Sequence, residues 1–230
     1  MDSAVWAACD IPDEQCSKRR RMQRPEHLEP GLTSRPWHDP ESLPWCAELE
    51  RNFDAIRSEV VAALAGEVWP LVRGSVGLTL GKGEWRELVM LGEGSELGRK
   101  LCPTAAGLLD LVPAAKDLAD STGSCGNAIF ALLTPGARLH AHCGPTNTRL
   151  TCHLGIQVPD GCAIRVGDEE RTWQDGKCLV FDDSWEHEVW NNSSSLRVVL
   201  LVNFWHPDLP PERWKDTAEE LREGFIDLDD

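Results

Sequence analysis

The run RLTCHLGIQV, Arg149 to Val158, alternates between two kinds of side chain. Leu150, Cys152, Leu154, Ile156 and Val158 fall on one side; Arg149, Thr151, His153, Gly155 and Gln157 fall on the other. A period of two is the signature of a β-strand with one apolar face. His153 therefore sits on a polar face rather than in a uniformly apolar one. Two further strands are predicted downstream, Lys177 to Asp183 and Leu196 to Trp205. Between them HEVWNNSSS reads as a short strand ending in an Asn/Ser turn cluster. His187 opens that hairpin and Arg197 begins its return.

Working outward, Asn127 to Thr134 is a predicted strand and Pro135-Gly136 a turn. His140 and His142 follow two apart on the next strand and so face one side. Residues 74–98 read as loops around a short strand at Trp85 to Leu91. From Cys46 to Ala65, Leu49, Phe53, Ile56, Val60 and Leu64 recur at helical spacing, with Gly66 placed to end the helix. Pro36, Pro40 and Pro44 mark an extended strap before it. Ala105 to Val112 reads as a short helix stopped by Pro113, and Pro211 to Glu223 as a helix opened by proline. Many short strands after one long helix predict a mainly β chain. The expected fold is a jelly-roll barrel with an N-terminal helical flank and a short C-terminal helix. Residues 1–30, with the basic run Lys18-Arg19-Arg20-Arg21, are expected to be a solvated tail. Residues 31–223 would form a single domain and residues 224–230 an acidic tail.

A chain of 230 residues with 41% hydrophobic and 27% charged residues can bury one sizeable core. Its net charge of -15 disfavours nucleic acid and anionic membrane surfaces as partners. No apolar run approaches the roughly 18 to 20 residues that span a bilayer. No secretory h-region is visible, so a cytoplasmic location is expected. The nine cysteines lack paired C-x-x-C spacing, which argues against a zinc ribbon. In a cytosolic protein most would be reduced. Most of the ten tryptophans are read as core or rim packing.

Three stretches carry a family resemblance: PGARLHAHCGPTNTRLTCHLG, GDEERTWQDGKCLVFDDSWEHEVWNNSS and LRVVLLVNFWHPDL. They resemble the aspartyl/asparaginyl β-hydroxylases, iron(II)- and 2-oxoglutarate-dependent oxygenases. The likeness extends upstream through PGLTSRPWHDP, LERNFDAIRSE and KGEWRELVMLG. It implies a double-stranded β-helix, the cupin-like form of the jelly roll, with residues 31–223 as one oxygenase domain.

Iron(II) dioxygenases commonly hold metal with two histidines and a carboxylate. Here the local pattern is His142-Cys143-Gly144, with a glycine where the carboxylate would stand. The resemblance accounts for this, since the family uses two histidines only. His142 and His187 become the implied iron(II) ligands, and Asp183 the acid that holds a metal-bound water. Arg197 is the implied clamp for the far carboxylate of 2-oxoglutarate, because its fork binds carboxylates in a bidentate way. His153 matches a co-substrate contact and Arg149 matches a family arginine; both, with Thr151, are expected at the co-substrate beside Arg197. The resemblance also brings O2 as oxidant and implies hydroxylation of an unactivated C–H bond, with succinate and CO2 as co-products. The substrate would be a small molecule or a peptide, possible targets being the β-carbon of Asp or Asn. A Cys102–Cys125 pair matches one in secretory-pathway members.

The chain departs from the family at two places: Thr151 replaces a usual arginine, and Ala131 a usual serine. Losing a cation and a hydroxyl should weaken dicarboxylate binding. His140 with His142 after Pro135-Gly136 also resembles a cupin metal site, but the glutamate completing that pattern is missing downstream. Two other readings therefore stand beside the oxygenase. One is a barrel that binds metal or a small acid without turnover. The other is a metal enzyme of different chemistry, a cupin-type isomerase or a halogenase placing halide beside Gly144.

Overall fold

The computed structural model describes residues 23–66, 69–70, 79–80 and 83–226. Among these residues eleven strands form two antiparallel sheets. They are β1 (Trp37–His38), β2 (Thr79–Leu80), β3 (Trp85–Leu91), β4 (Ala128–Leu133), β5 (Arg138–His142), β6 (Arg149–Gln157), β7 (Cys162–Val166), β8 (Glu169–Arg171), β9 (Cys178–Phe181), β10 (His187–Asn191) and β11 (Arg197–Trp205). The larger sheet runs β1-β9-β6-β11-β4-β3 and the smaller β2-β5-β10-β7-β8. Two such sheets packed face to face make the expected double-stranded β-helix.

Among the described residues six α-helices accompany them: α1 (Pro44–Arg51), α2 (Phe53–Ala65), α3 (Glu96–Leu101), α4 (Pro103–Asp110), α5 (Pro113–Thr122) and α6 (Trp214–Ile226). The single helix predicted over Cys46 to Ala65 is two. Asn52 breaks it at φ -96° and ψ 12°, and its side-chain amide donates to the Glu48 carbonyl at 2.8 Å. A short polar side chain that bonds nearby backbone competes with the helical ladder. Proline acts twice in the next segment, ending α4 and supplying the first residue of α5. The C-terminal helix begins with a 3-10 turn at Pro211–Arg213 and continues to Ile226.

The segment expected to be a loose tail is attached from Gln23 onward. Arg24 N–H donates to the Ser184 carbonyl at 3.0 Å, and His27 N–H to the Pro145 carbonyl at 3.0 Å. The basic run Lys18 to Arg21 lies outside the described residues, as do residues 227–230. Cys102 is a buried free thiol, so the Cys102–Cys125 bridge is not made. Among the described residues no helix is long and apolar enough to cross a membrane.

Both faces of β6 are buried, and this organises the molecule. Leu150, Cys152, Leu154 and Ile156 pack with Leu49, Ile56 and Leu109 of the helical layer. The opposite face, bearing Arg149, Thr151 and His153, turns into the space between the sheets. Ile129, Ile164, Val166, Phe181 and Val199 fill the apolar part of that space.

Candidate active site

Strand register brings the histidine pair together. His187 at the start of β10 lies directly opposite His142 at the end of β5, and the ring centroids are 4.1 Å apart. Each ring sets its Nδ1 against a main-chain carbonyl two residues back: His142 on His140 at 2.6 Å and His187 on Trp185 at 2.9 Å. A carbonyl accepts only, so Nδ1 carries the proton and Nε2 the lone pair, which is the metal-ligating tautomer. Burial, then the neighbouring His187, pushes His142 down to about 3. Burial likewise lowers His187. Both are neutral at neutral pH, as ligands must be. This donor set fits iron(II).

Gly144 explains how a carboxylate arrives without a local acid. A Cβ built on Gly144 would lie 2.5 Å from Asp183 Cγ and 2.6 to 2.7 Å from its oxygens. The Asp183 carboxylate thus fills the space a side chain at 144 would need, and Gly144 N–H donates to the Asp183 carbonyl at 2.6 Å. Arg149 holds that carboxylate, with Nη2 to Oδ2 at 2.5 Å and Nε to Oδ1 at 3.4 Å. Its Nη1 donates to the Cys125 carbonyl. Arg149 is therefore directed at Asp183 and away from the space beside Arg197.

Arg197 is different. It is 2% exposed, and among the described residues no carboxylate pairs with it. Its Nη1 donates to the Ala131 carbonyl at 3.3 Å, its Cζ lies 4.8 Å from the Trp173 ring, and its Nε is buried with no partner. Burial pulls its pKa down to about 10. Trp173 also orders His153: the rings stack at 5.9 Å, and the indole N–H donates to His153 Nδ1 at 3.2 Å. That bond fixes the proton on His153 Nε2, which is buried and unpartnered. Phe181 contacts both groups, its ring 4.9 Å from that of His153 and 5.8 Å from that of His187. Thr151 accepts a hydrogen bond from Asn203 at 2.9 Å, a neutral pair at the position where the resemblance led us to expect arginine. Ala131 lies in the same inner cluster. The space between the sheets thus holds two neutral imidazoles with a supported carboxylate, and a buried cation with an unused N–H donor.

Sequence reasoning passed over Trp173, which it grouped with the packing tryptophans. The signal was its place in the family-like run GDEERTWQDG. Gly155 was likewise unread. A Cβ there would meet the Gln174 carbonyl oxygen at 2.3 Å, so only glycine lets the loop carrying Trp173 press onto β6.

The fold and the buried polar cluster define the class first: a jelly-roll barrel whose polar residues converge between its two sheets. The model of the aspartyl/asparaginyl β-hydroxylase family matches residues 50–207. Human aspartyl/asparaginyl β-hydroxylase is 36% identical over 190 residues, 80% of this chain and 24% of that protein. The ornithine lipid ester-linked acyl 2-hydroxylase of Rhizobium tropici is 35% identical over 196 residues, 81% of this chain and 66% of that one. A prolyl-4-hydroxylase structure from Pseudomonas putida aligns over 67% of this chain and 87% of its own, at 18% identity and a TM-score of 0.44. The chain belongs to the aspartyl/asparaginyl β-hydroxylase family, a family of hydroxylases. It spans about a quarter of its human relative.

Proposed function

We infer that the protein is an iron(II)- and 2-oxoglutarate-dependent hydroxylase. The observation that carries this reading is Arg197: a buried guanidinium with no carboxylate partner among the described residues, linked through Trp173, His153 and Phe181 to the histidine pair. A buried cation without a counter-ion is costly, and a dicarboxylate co-substrate would supply the missing charge. His142 and His187 would hold the metal, and Asp183, braced by Arg149, would hold a metal-bound water. When bound, iron(II) with O2 and 2-oxoglutarate supplies the oxidising power that replaces C–H by C–OH. The chain's own residues bind, orient and exclude water. Arg197 anchors the distal carboxylate, His153 Nε2–H donates to the co-substrate, and Trp173 keeps both side chains in place.

The relatives' names narrow the substrate. The β-carbon of an aspartyl residue and the 2-position of an acyl chain are both C–H carbons next to a carbonyl carbon. A substrate hydroxylated at such a carbon, peptide or small molecule, is the reading this chain supports. Thr151 and Ala131 favour a second one, a barrel that binds the acid weakly and does not turn over.

An anaerobic titration separates them. Iron(II) and then 2-oxoglutarate are added while the visible metal-to-ligand charge-transfer band is followed, with His187→Ala as control. A band in the wild type alone supports the hydroxylase; iron binding without a band supports the second reading. No iron binding at all removes the hydroxylase and leaves a barrel that binds a small acid without metal.

A further inference from the structure

On the far side of β6 from the active site, three thiols converge. Cys46 comes from α1, Cys152 from β6 and Cys178 from β9. Their sulfurs all lie within 4.8 Å of one another, and each residue is buried. Cys46 Sγ and Cys152 Sγ are 3.8 Å apart. A four-coordinate zinc ion with bonds of about 2.3 Å sets its sulfurs about 3.8 Å apart, so that edge already has the length a metal would impose.

The cluster has an entrance. Cys46 and Cys178 line a surface cavity of about 370 Å³ together with Glu50 and Lys177. Glu50, one helical turn beyond Cys46, accepts the Cys178 N–H at 2.9 Å and pairs with Lys177 Nζ at 2.7 Å. The plain alternative is that the thiols are packing groups, since buried cysteine behaves as a small hydrophobe. Packing alone does not require sulfurs from three separate elements to meet beside a surface cavity that two of those residues line.

We propose that Cys46, Cys152 and Cys178 form a second metal site, for a thiophilic divalent ion of the zinc type, distinct from the histidine pair. Three thiolates suit soft or borderline ions. A divalent ion leaves one net negative charge where a monovalent ion would leave two, which is the smaller burden in a buried site. The thiols give up their protons as the ion enters, and the cavity side leaves the fourth position to a solvent ligand. The bound ion ties α1 to β6 and β9, directly behind Thr151 and His153.

The test is a cadmium(II) titration of the reduced, metal-free full chain, following the ultraviolet thiolate-to-metal absorption and the thermal midpoint. Three proteins are compared: wild type, Cys152→Ala, and the double variant His142→Ala/His187→Ala. The wild type and the histidine variant should show the band at one equivalent and a raised midpoint. Cys152→Ala should lose the band and bind at that site at least a hundredfold more weakly. If Cys152→Ala does not fold, Cys178→Ser at the cavity edge serves in its place with the same expectation. Absence of the band from wild type at saturating cadmium overturns the proposal, as does an unchanged band in the cysteine variant. Loss of the band only in the histidine variant overturns it as well.

Discussion

Replacing Arg197 by methionine should leave the ligand-free protein as stable as before or slightly more so, while removing its response to 2-oxoglutarate. The fall of the Arg197 pKa from 12.5 to about 10 corresponds to about 3 kcal/mol of unfavourable burial. Methionine relieves that term but loses the contact with Trp173 and the bond to the Ala131 carbonyl, together about 2 to 3 kcal/mol. The two nearly cancel. A thermal midpoint between unchanged and about 4 °C higher follows for a chain of this size. An arginine already paired inside the protein would behave otherwise, since breaking a buried pair costs about 3 to 5 kcal/mol.

Ligand reverses the order. With iron(II) held anaerobically and 2-oxoglutarate at about a hundred times its Kd, the wild type should gain about 2.7 kcal/mol, or roughly 5 to 10 °C. The variant, short of a buried charge pair worth about 3 to 5 kcal/mol, should bind at least about a hundredfold more weakly and barely shift. Scanning calorimetry of both proteins with and without 2-oxoglutarate reads all four midpoints. A ligand-free variant that melts more than about 8 °C lower, or one that 2-oxoglutarate still stabilises as in wild type, refutes the assignment of Arg197 as an anchor for an external acid.

Further outcomes follow from the structure. Asp183→Ala leaves Arg149 buried without its carboxylate and should cost about 3 to 5 kcal/mol in chemical denaturation. Gly144→Ala, whose Cβ meets that carboxylate, should cost about 1 to 3 kcal/mol. The double variant should cost less than the sum, and strict additivity would show that the two positions do not share the space. Gly155→Ala must displace the Gln174 carbonyl and with it Trp173, so 2-oxoglutarate affinity by calorimetry should fall while iron affinity holds; equal loss of both would contradict this. His38 is buried, and burial, followed by Arg35 and His206, lowers it from 6.5 to about 4. The unfolded chain therefore binds the extra proton between those values, and stability is lost as pH falls through that window, by no more than about 2 kcal/mol after solvent screening of the ring. His38→Gln should flatten the fall relative to wild type, with the difference greatest near pH 4. Asp182, raised by burial to about 7, acts in the opposite sense, so the difference between proteins and not the wild-type profile is diagnostic.

What was legible in the sequence was what depends on local period or local pattern. The alternation from Arg149 to Val158 gave β6 and put Arg149, Thr151 and His153 on one face. Their inward direction was not legible, because a polar face in a two-layer protein can point to solvent or to an internal cavity, and the period is the same. The break at Asn52 was missed because an apolar stripe continues through two helices that bend about one residue. Trp173 and Gly155 were missed because their roles exist only where a loop from one part of the chain lands on β6. The cysteine cluster shows the same limit: positions 46, 152 and 178 have no ligand-like spacing, and the sulfurs meet only after β6 pairs with β9 and α1 packs over both.

The strand order explains why those long-range meetings are reproducible. Asp183 follows β9, Thr151 and His153 lie on β6, and Arg197 opens β11, and these three strands are adjacent in one sheet. The histidine pair comes from β5 and β10, adjacent in the other. Strand pairing therefore sets positions within each group, whereas the distance between the groups is set by what packs between the sheets, chiefly Phe181 and its neighbours. A dicarboxylate spanning from His142 and His187 to Arg197 would measure that inter-sheet distance. Selectivity for the length of the acid should then reside in the apolar filling of the barrel as much as in the arginine that holds its far end.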